Sequence, residues 1–553
     1  MFFAVVLATG QDSAPTTLPP GAAHIAPAAP ANKGIVFDDF IDSVVLQERR
    51  LTDSMRSFKP IIETYIQEEG VRPRFQAGII PNGDDYFLSR LELTGDSLSF
   101  VPFADEETWK RTEEFFVQEP APLSQAALAQ GLFPDLGHFD RQNYIFEFVR
   151  WDVLGEVRCA ALDVRPREHS NTKNRGFVGR IWVEDQDYSI VRFTGTFTST
   201  GFAKRAFHFD SWRLNVQRNQ WMPAYVYTEE SNPHDLDLAH RLLFRAQTKV
   251  WGYDLQNARD HLENEKPLTD NPARVNSRQQ ENSREVRPAY GDDETPYPPE
   301  DTVVERAEAA GLMAPEGDVD QILQTVLNNL LITNDLDIPG VRCRVLLTTP
   351  LESFVMGRTI VVSRGLLDVL PDEATLAAVL AHELAHVLLG HTVSPAYLVG
   401  IAQSSSDSQI FAALDFHFDR NEEKGANKKA QEVLSKSPYK DQLVNVGLFL
   451  QTLDARSARF PNLLHGRFSE DFGSNRLFAS PKLPKADRLN QISALPLGSR
   501  IVVDPWSDRI EMLKSKPIRL ASPAEKIPFE VTPFHPYLKR LDVPENSHNA
   551  TGQ

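Results

Sequence analysis

The chain has 553 residues, of which 41% are hydrophobic and 24% charged, which is the composition of an average soluble globular protein and enough length for three or four structural units. Its formal net charge of −18 argues against nucleic-acid binding and against attraction to an anionic membrane surface, because both need a basic face. Only two cysteines occur, Cys159 and Cys343, which excludes a disulfide scaffold and a cysteine-based zinc site, and no apolar run of about 18 residues predicts a membrane-spanning helix.

Residues 1–35 are predicted to be a leader or a disordered segment. The stretch Met1–Gly10 is apolar but short, and no Lys or Arg precedes it, so the charged region of a complete signal peptide is missing. A spacer rich in Pro, Ala and Thr follows over Ala14–Ala31, as it does after many cleaved signals. We therefore expect a periplasmic or secreted protein with an incompletely represented signal peptide, and the cytoplasm is the alternative location.

Residues 36–255 combine helical and β patterns. Apolar residues recur at helical spacing over 36–70, first within Phe37–Val45 and then within Met55–Tyr65. From about Pro73 to Tyr253, β-branched and aromatic segments alternate with turn residues, which predicts a mostly antiparallel β domain. The helix-then-sheet order is similar to that of open-barrel lipoprotein carriers, although no motif carries this similarity, and a scaffold or a binding module is the simpler interpretation.

The second half of the chain begins with a predicted polar linker over 256–315, a segment rich in Pro, Glu, Asn and Arg that cannot bury a core. A second domain is expected over 316–495, and a β-hairpin and tail over 496–553. The elements predicted there are a helix over 318–333, strands over 343–347 and 358–362, a helix over about 372–391, helices near 407–436 and 440–456, and hairpin strands over 500–503 and 509–512. The expected fold class is α+β, with a mostly helical second domain and a separate antiparallel β-rich N-terminal domain.

One helix carries the motif His382-Glu383-Leu384-Ala385-His386. Histidines four residues apart lie on one face of a helix, so both imidazoles can bind one Zn²⁺. Glu383 lies beside the first histidine and is placed to contact a water molecule at the metal. The motif can also arise by chance, but burying two histidines and a glutamate among apolar residues without a metal would desolvate three polar groups. Asp372, after a proline, is the expected N-cap of this helix.

A catalytic zinc ion needs a third protein ligand. His391 lies five residues beyond His386, which is about 140° around a helix, so it should point away from the metal. The metzincin pattern also fails, because Leu389 and Thr392 occupy its glycine and histidine positions. A carboxylate on a second helix is the better candidate, and Glu423 fits because it shares a helical face with Ala426, Asn427, Ala430 and Leu434, although it could also be an ordinary solvated charge.

The segments Ile360–Asp368, Leu376–His386 and Arg420–Asn427 together resemble the HtpX and CAAX-prenyl-protease family of zinc metallopeptidases, peptidase family M48. The resemblance covers about residues 318–495 and does not extend to the N-terminal β domain. It implies one zinc ion per chain, held by His382, His386 and Glu423. It also implies that residue 427 supports a zinc ligand through a hydrogen bond and that Arg488 stabilises the oxyanion.

The sequence departs from the family pattern at two positions. The family has an aspartate four residues beyond the ligand glutamate, and this chain has Asn427 there, which brings no charge. A family histidine that assists the transition state is replaced by Ser480, with His465 or His535 as conceivable substitutes. Changes around metal ligands typically cost about 10–100-fold in metal affinity or activity, so the departures predict weak or narrow activity.

The predicted function is zinc-dependent endopeptidase activity of the gluzincin type on a protein or peptide substrate, with Glu383 as the general base. The strand Thr359–Ser363, just before the metal helix, is expected to pair with an extended substrate. The first alternative is a weak or inactive zinc-binding pseudopeptidase that acts as an envelope assembly or binding factor. The second is an exported binding protein in which the His-Glu motif is accidental. No nucleic-acid partner is expected, and the oligomeric state is left open.

Overall fold

The protein is described here from a computed structural model that covers residues 37–71, 79–103, 124–168, 176–198, 207–230, 243–254, 299–391, 418–443, 501–513, 531 and 536–541, with parts of 410–417 and 444–464. The helices in chain order are α1 Phe37–Met55, α2 Gln125–Ala129, α3 Pro299–Ala309, α4 Asp318–Thr333, α5 Arg364–Val369, α6 Glu373–Leu389 and α7 Arg420–Ser435, with 3₁₀ turns at Gln130–Leu132 and Lys440–Gln442. None of these helices is long and apolar enough to cross a membrane.

The N-terminal region is a ten-stranded antiparallel sheet in the order β3-β2-β1-β10-β9-β8-β7-β6-β5-β4, which agrees with the predicted large β-rich region. The last strand of the region, β10, pairs with the first, β1, and so brings the two ends of the region together. The strands are β1 Ile61–Val71, β2 Ile79–Thr94, β3 Ser97–Pro102, β4 Tyr144–Leu154, β5 Val157–Pro166, β6 Phe177–Glu184, β7 Ile190–Phe197, β8 Phe207–Gln217, β9 Gln220–Glu230 and β10 Leu243–Trp251.

Helix α1 covers one face of this sheet. Its apolar residues Ile41, Val44 and Met55 share a buried cluster with residues of the strands. A buried ion pair adds a specific link, since Arg213 on β8 donates two 2.7 Å hydrogen bonds to the carboxylate of Glu48 on α1. The bidentate geometry fixes the helix on the sheet more narrowly than apolar contact alone would.

The opposite face of the sheet packs against the second half of the chain. One apolar cluster contains Ile61 and Tyr65 of β1 together with residues of α3, α4 and α6. The β-rich region was predicted to be separate, but it shares this core with the peptidase-like region. Backbone oxygens also take part, because Arg90 donates to Ala310 O at 2.8 Å and Trp251 Nε1 donates to Gly311 O at 2.9 Å.

The second half contains a three-stranded sheet in the order β11-β13-β12. Its strands are β11 Arg342–Leu346, β12 Ser353–Met356 and β13 Thr359–Ser363. Strand β13 pairs in parallel with β11 and antiparallel with β12. The prediction that Thr359–Ser363 pairs with a substrate is therefore wrong, because the hydrogen-bonding groups on both edges of this strand are already used.

Two further predictions are wrong. Residues 61–70 form β1 and not a helix; strand residues 61–67 are all buried, so the period-2 alternation that marks a half-exposed strand is absent. Pro299–Ala309 is a helix within the predicted linker 256–315, and its residues Val303, Val304 and Ala307 are buried in the shared core. Residues 256–298 of that linker and the whole predicted leader, residues 1–35, lie outside the described residues.

The C-terminal part docks on both halves. Strands β14 Ile501–Val503 and β15 Ile510–Met512 form the predicted hairpin. Beyond it, residues 536–541 lie against the β-rich region, where Glu156 N donates to Leu538 O at 2.9 Å. Gly155 has a φ of +65°, and a Cβ at this position would lie 2.5 Å from Leu538 O. Only glycine allows this approach without displacement of the backbone.

Candidate metal centre

Helix α6 begins and ends at well-defined caps. Asp372 is the N-cap, and its Oδ1 accepts hydrogen bonds from Thr375 N at 2.8 Å and Thr375 Oγ1 at 2.7 Å. Gly390 ends the helix in the left-handed conformation with a φ of +69°, as is common at helix C-termini. All residues from Ala374 to His386 are buried, so the helix crosses the core and carries its polar side chains into it.

The two histidines of this helix face the same point. His382 and His386 are one turn apart, and their Nε2 atoms lie 3.2 Å from each other. His382 is 2% exposed and His386 is 1% exposed. Two buried imidazole nitrogens that converge in this way are a costly arrangement unless something binds between or beside them.

Helix α7 supplies the third group. Its N-cap Asp419 and Glu422 form a reciprocal capping box, in which Asp419 N donates to Glu422 Oε2 at 2.9 Å. Glu422 is therefore used at the helix terminus and points to solvent, whereas Glu423 points inward and is 8% exposed. Of the two neighbouring glutamates, the structure buries Glu423, which is the one that the helical spacing favours.

Glu423 Oε2 lies 3.3 Å from His382 Nε2 and 3.5 Å from His386 Nε2. One ligand atom of each of the three side chains lies within 4.8 Å of the others. Burial favours a raised pKa for Glu423, but the contacts with the two imidazoles outweigh it and lower the pKa to about 2. The carboxylate is therefore ionised at any ordinary pH.

Each histidine is also held through its other ring nitrogen. His382 Nδ1 lies 3.1 Å from Asn427 Oδ1, which is the contact expected for residue 427. An amide oxygen only accepts hydrogen bonds, so the His382 Nδ1 atom carries a proton in this contact, and Nε2 is the ring nitrogen left to bind a metal. Asn427 thereby sets the tautomer without adding charge.

His391 holds the second histidine in the same way, although sequence reasoning only excluded it as a ligand. Its Nδ1 lies 3.1 Å from His386 Nδ1. Burial, followed by the neighbouring His386, lowers the pKa of His391, which favours the neutral form whose Nδ1 can accept a hydrogen bond from His386 Nδ1. Phe418 stacks on the His386 ring at a centroid distance of 4.2 Å and restricts its rotation. The five-residue spacing predicts that His391 points away from the metal if the helix continues. The helix instead ends at the left-handed Gly390, and the turn there brings His391 to His386.

Glu383 is 3% exposed and lies next to the trio in the chain. Its Oε1 accepts a 2.7 Å hydrogen bond from Ser353 Oγ, a residue of β12. Sequence reasoning missed Ser353, because the only signal was a serine in a short apolar strand. Arg488, Ser480, His465 and His535 lie outside the described residues, so their predicted roles stay predictions.

Residues 317–453 match the model of Peptidase family M48. The predicted resemblance is confirmed by this match, which supports a metallopeptidase domain in general. A search of curated proteins found no match.

Two solved structures resemble a part of the chain. One is a LolA superfamily protein from Nitrosomonas europaea, at 12% identity and a TM-score of 0.20, and the other is a DUF1329 family protein from Desulfovibrio piger, at 8% identity and a TM-score of 0.20. Each alignment covers 38% of this chain and 91% of the other chain.

The described residues fit a zinc ion by their chemistry. Two imidazole nitrogens and one carboxylate oxygen are a donor set that zinc uses in catalytic sites. Glu423 Oε2 is a buried atom with no hydrogen-bond partner among the described residues, although buried carboxylate oxygens are normally satisfied. A cation held by this oxygen and the two Nε2 atoms would satisfy all three.

Proposed function

We propose that residues 316–495 form a zinc-dependent metalloendopeptidase domain of the gluzincin type, with one zinc ion held by His382, His386 and Glu423. The match of residues 317–453 to the M48 family supports the metallopeptidase class. The observation that carries the zinc assignment is the buried trio, in which Glu423 Oε2 faces both imidazoles and has no other partner among the described residues. When bound, the ion supplies a Lewis acid that polarises a carbonyl oxygen and lowers the pKa of water.

Glu383 is the general base of this proposal. It takes a proton from the attacking water and passes it to the leaving amine. Ser353 Oγ donates to Oε1 of this carboxylate, which fixes its orientation, so we assign the proton transfer to Oε2. His391 and Asn427 act one step further out, because they hold the two imidazoles in the tautomer that presents Nε2.

The substrate is proposed to be a protein or peptide, and Arg488 is retained as the proposed oxyanion donor. His382, Glu383, His386 and Glu423 are all nearly inaccessible to solvent. The proposed location is the periplasm or the outside of the cell.

A catalytically weak or inactive zinc-binding pseudopeptidase, acting as an envelope assembly or binding factor, is the second candidate. One observation favours it. His382 is held by the neutral Asn427, where the family pattern has a carboxylate. A neutral partner leaves the imidazole a weaker ligand than a charged partner would.

Cleavage of an unfolded test protein such as casein by the purified chain distinguishes these candidates. The parent should cleave, and Glu383→Gln should lose about 10²–10⁴-fold in rate while it keeps its zinc, measured by elemental analysis. Glu373→Gln, on the first turn of the same helix, is the matched control and should cleave like the parent. Equal rates for the parent and Glu383→Gln would exclude the general-base role, whereas zinc in both without cleavage by either would establish the pseudopeptidase.

A further inference from the structure

A second candidate site lies away from the metal centre. A cavity of about 630 Å³ is bounded by strands β8–β10, by the β14–β15 hairpin and by residues 536–539. Its volume is within the range of small-molecule sites in proteins. Most of the wall is apolar and includes Leu214, Ala224, Val250, Trp251, Ile501 and Val503.

Two cations stand together in the buried part of this wall. Lys249 Nζ lies 3.2 Å from Thr349 Oγ1, and Arg364 Nη2 lies 3.3 Å from the same oxygen. Glu63 accepts hydrogen bonds from Arg364 Nη2, from Thr349 N and Oγ1, and from Tyr86 OH. The hydrogen-bond acceptor positions of the Glu63 carboxylate are therefore taken by these four donors.

The cation pair has donor capacity left over. Arg364 is buried, and its Nε has no hydrogen-bond partner among the described residues. Burial, followed by the repulsion from Arg364, lowers the pKa of Lys249 to about 8, against the weaker opposite effects of Glu63 and Asp368. The two cations are therefore poorly solvated, and the described residues do not use all of their hydrogen-bond donors.

The outer part of the cavity differs in character. The other charged residues of its lining, Glu156, Glu511 and Lys539, are exposed. Leu513 and Tyr537 also line the cavity and are exposed large hydrophobic residues. The cavity thus runs from a buried cationic end along an apolar wall to a solvent-facing rim.

We propose that this cavity binds a long-chain carboxylate, with its acid group beside the paired side chains of Lys249 and Arg364 and its chain along the apolar wall. A carboxylate accepts several donors and is the natural partner of a guanidinium beside an ammonium group. A peptide suits the cavity less well, because each of its backbone N–H and C=O groups needs a partner that an apolar wall does not offer. This proposal is independent of the metal centre and goes beyond peptidase function.

The test is a titration of the full-length protein with cis-parinaric acid, a fluorescent long-chain carboxylate. We expect saturable binding at one site per chain, displaced by oleate and at least about 10-fold less well by oleyl alcohol, which lacks the charge. Lys249→Met should weaken binding by about 10–100-fold, the range for a hydrogen bond to a charged group. Ala224→Trp, which fills the cavity, should abolish saturable binding.

Three controls keep the outcome interpretable. Lys59→Met removes an exposed lysine elsewhere and should bind like the parent, and thermal unfolding of each variant checks that it is folded. Glu383→Gln should also bind like the parent, so a failed peptidase proposal leaves this one standing. Absence of saturable binding, equal binding of oleate and oleyl alcohol, displacement only by a peptide, or no effect of both Lys249→Met and Ala224→Trp would each overturn the proposal.

Discussion

Two buried carboxylates in this protein have opposite surroundings. Glu63, at the contact between the ten-stranded sheet and the second half of the chain, accepts hydrogen bonds from Thr349, Arg364 and Tyr86. Glu423, at the metal centre, faces two imidazoles and keeps an Oε2 atom without a hydrogen-bond partner among the described residues. Burial costs both groups hydration, but only Glu63 recovers it within the described chain.

This difference separates a carboxylate that holds the fold from one that is prepared for a ligand. A saturated carboxylate such as Glu63 contributes to stability through a guanidinium that would otherwise be buried without a counter-charge. An unsaturated carboxylate such as Glu423 retains its capacity for a cation. Removal of each group should therefore appear in a different measurement.

The largest effect is expected for Glu63→Ala. Loss of this carboxylate leaves Arg364 buried without its ion-pair partner, which costs about 3–5 kcal/mol of the free energy of unfolding. Urea unfolding should show this loss, whereas Glu92→Ala, which removes a partly exposed partner of Lys59, should cost less than about 1 kcal/mol. Similar costs for the two variants would show that Glu63 does not hold the two halves together.

Glu423→Gln should give the reverse pattern. We expect zinc affinity to fall by more than about 100-fold, beyond the range for residues that only support a ligand. In the presence of a chelator, Glu423→Gln should lose less of the free energy of unfolding than Glu63→Ala does, because Glu423 Oε2 has no hydrogen-bond partner among the described residues. Competition with a chelating dye measures the affinity, and Glu422→Gln is the matched control that should retain it. Unchanged zinc affinity in Glu423→Gln would remove this residue from the ligand set.

Lys249 adds a pH-dependent test of the cationic cluster around Glu63. Burial and the charge of Arg364 lower its pKa to about 8 in the folded protein, so between about pH 8 and 10.5 the unfolded chain binds more protons and stability rises with pH. Lys249→Met should be more stable than the parent at pH 7 by roughly 1–3 kcal/mol, and this gain should shrink as the pH approaches 10.5. A pH-independent difference in thermal unfolding would contradict the lowered pKa.

The smallest effect is expected for Asn427→Asp. A charged acceptor at His382 Nδ1 strengthens the imidazole as a ligand, so zinc affinity should rise by about 10-fold. Asn421→Asp, on the exposed first turn of the same helix, should leave the affinity unchanged. Equal or lower affinity in Asn427→Asp would show that the neutral amide suits this site better than the family's carboxylate.

Much of the metal centre could be predicted because its signals are local. The spacing of His382 and His386, the cap at Asp372 and the helical face of Glu423 all act within one or two turns of a helix. The structure brings these groups together, and their roles as ligands remain proposals. The contact of His391 with His386 was not predicted because the turn at Gly390 redirects the chain. The contact of Ser353 with Glu383 was not predicted because the two residues are 30 positions apart.

The contacts between the two halves could not be predicted from the sequence because they join residues that are far apart along the chain. Glu63 meets Thr349 and Arg364 nearly 300 residues further along the chain, and no local periodicity carries such a contact. The only trace was a glutamate in the otherwise apolar start of β1. The errors over 61–70 and over 299–315 both involve long-range burial, because Ile61 and Tyr65 of β1 and Val303, Val304 and Ala307 of α3 lie in one core that both halves build.

The contact between Gly155 and Leu538 has a consequence for biosynthesis. These two residues are separated by nearly 400 positions, so at about 5–20 residues per second the ribosome reaches Leu538 roughly 20–80 s after Gly155. During that interval, the turn between β4 and β5 has no backbone partner at Leu538. A nascent chain therefore carries this turn without its backbone partner until Leu538 has been synthesised, and chaperones have that time to act on it.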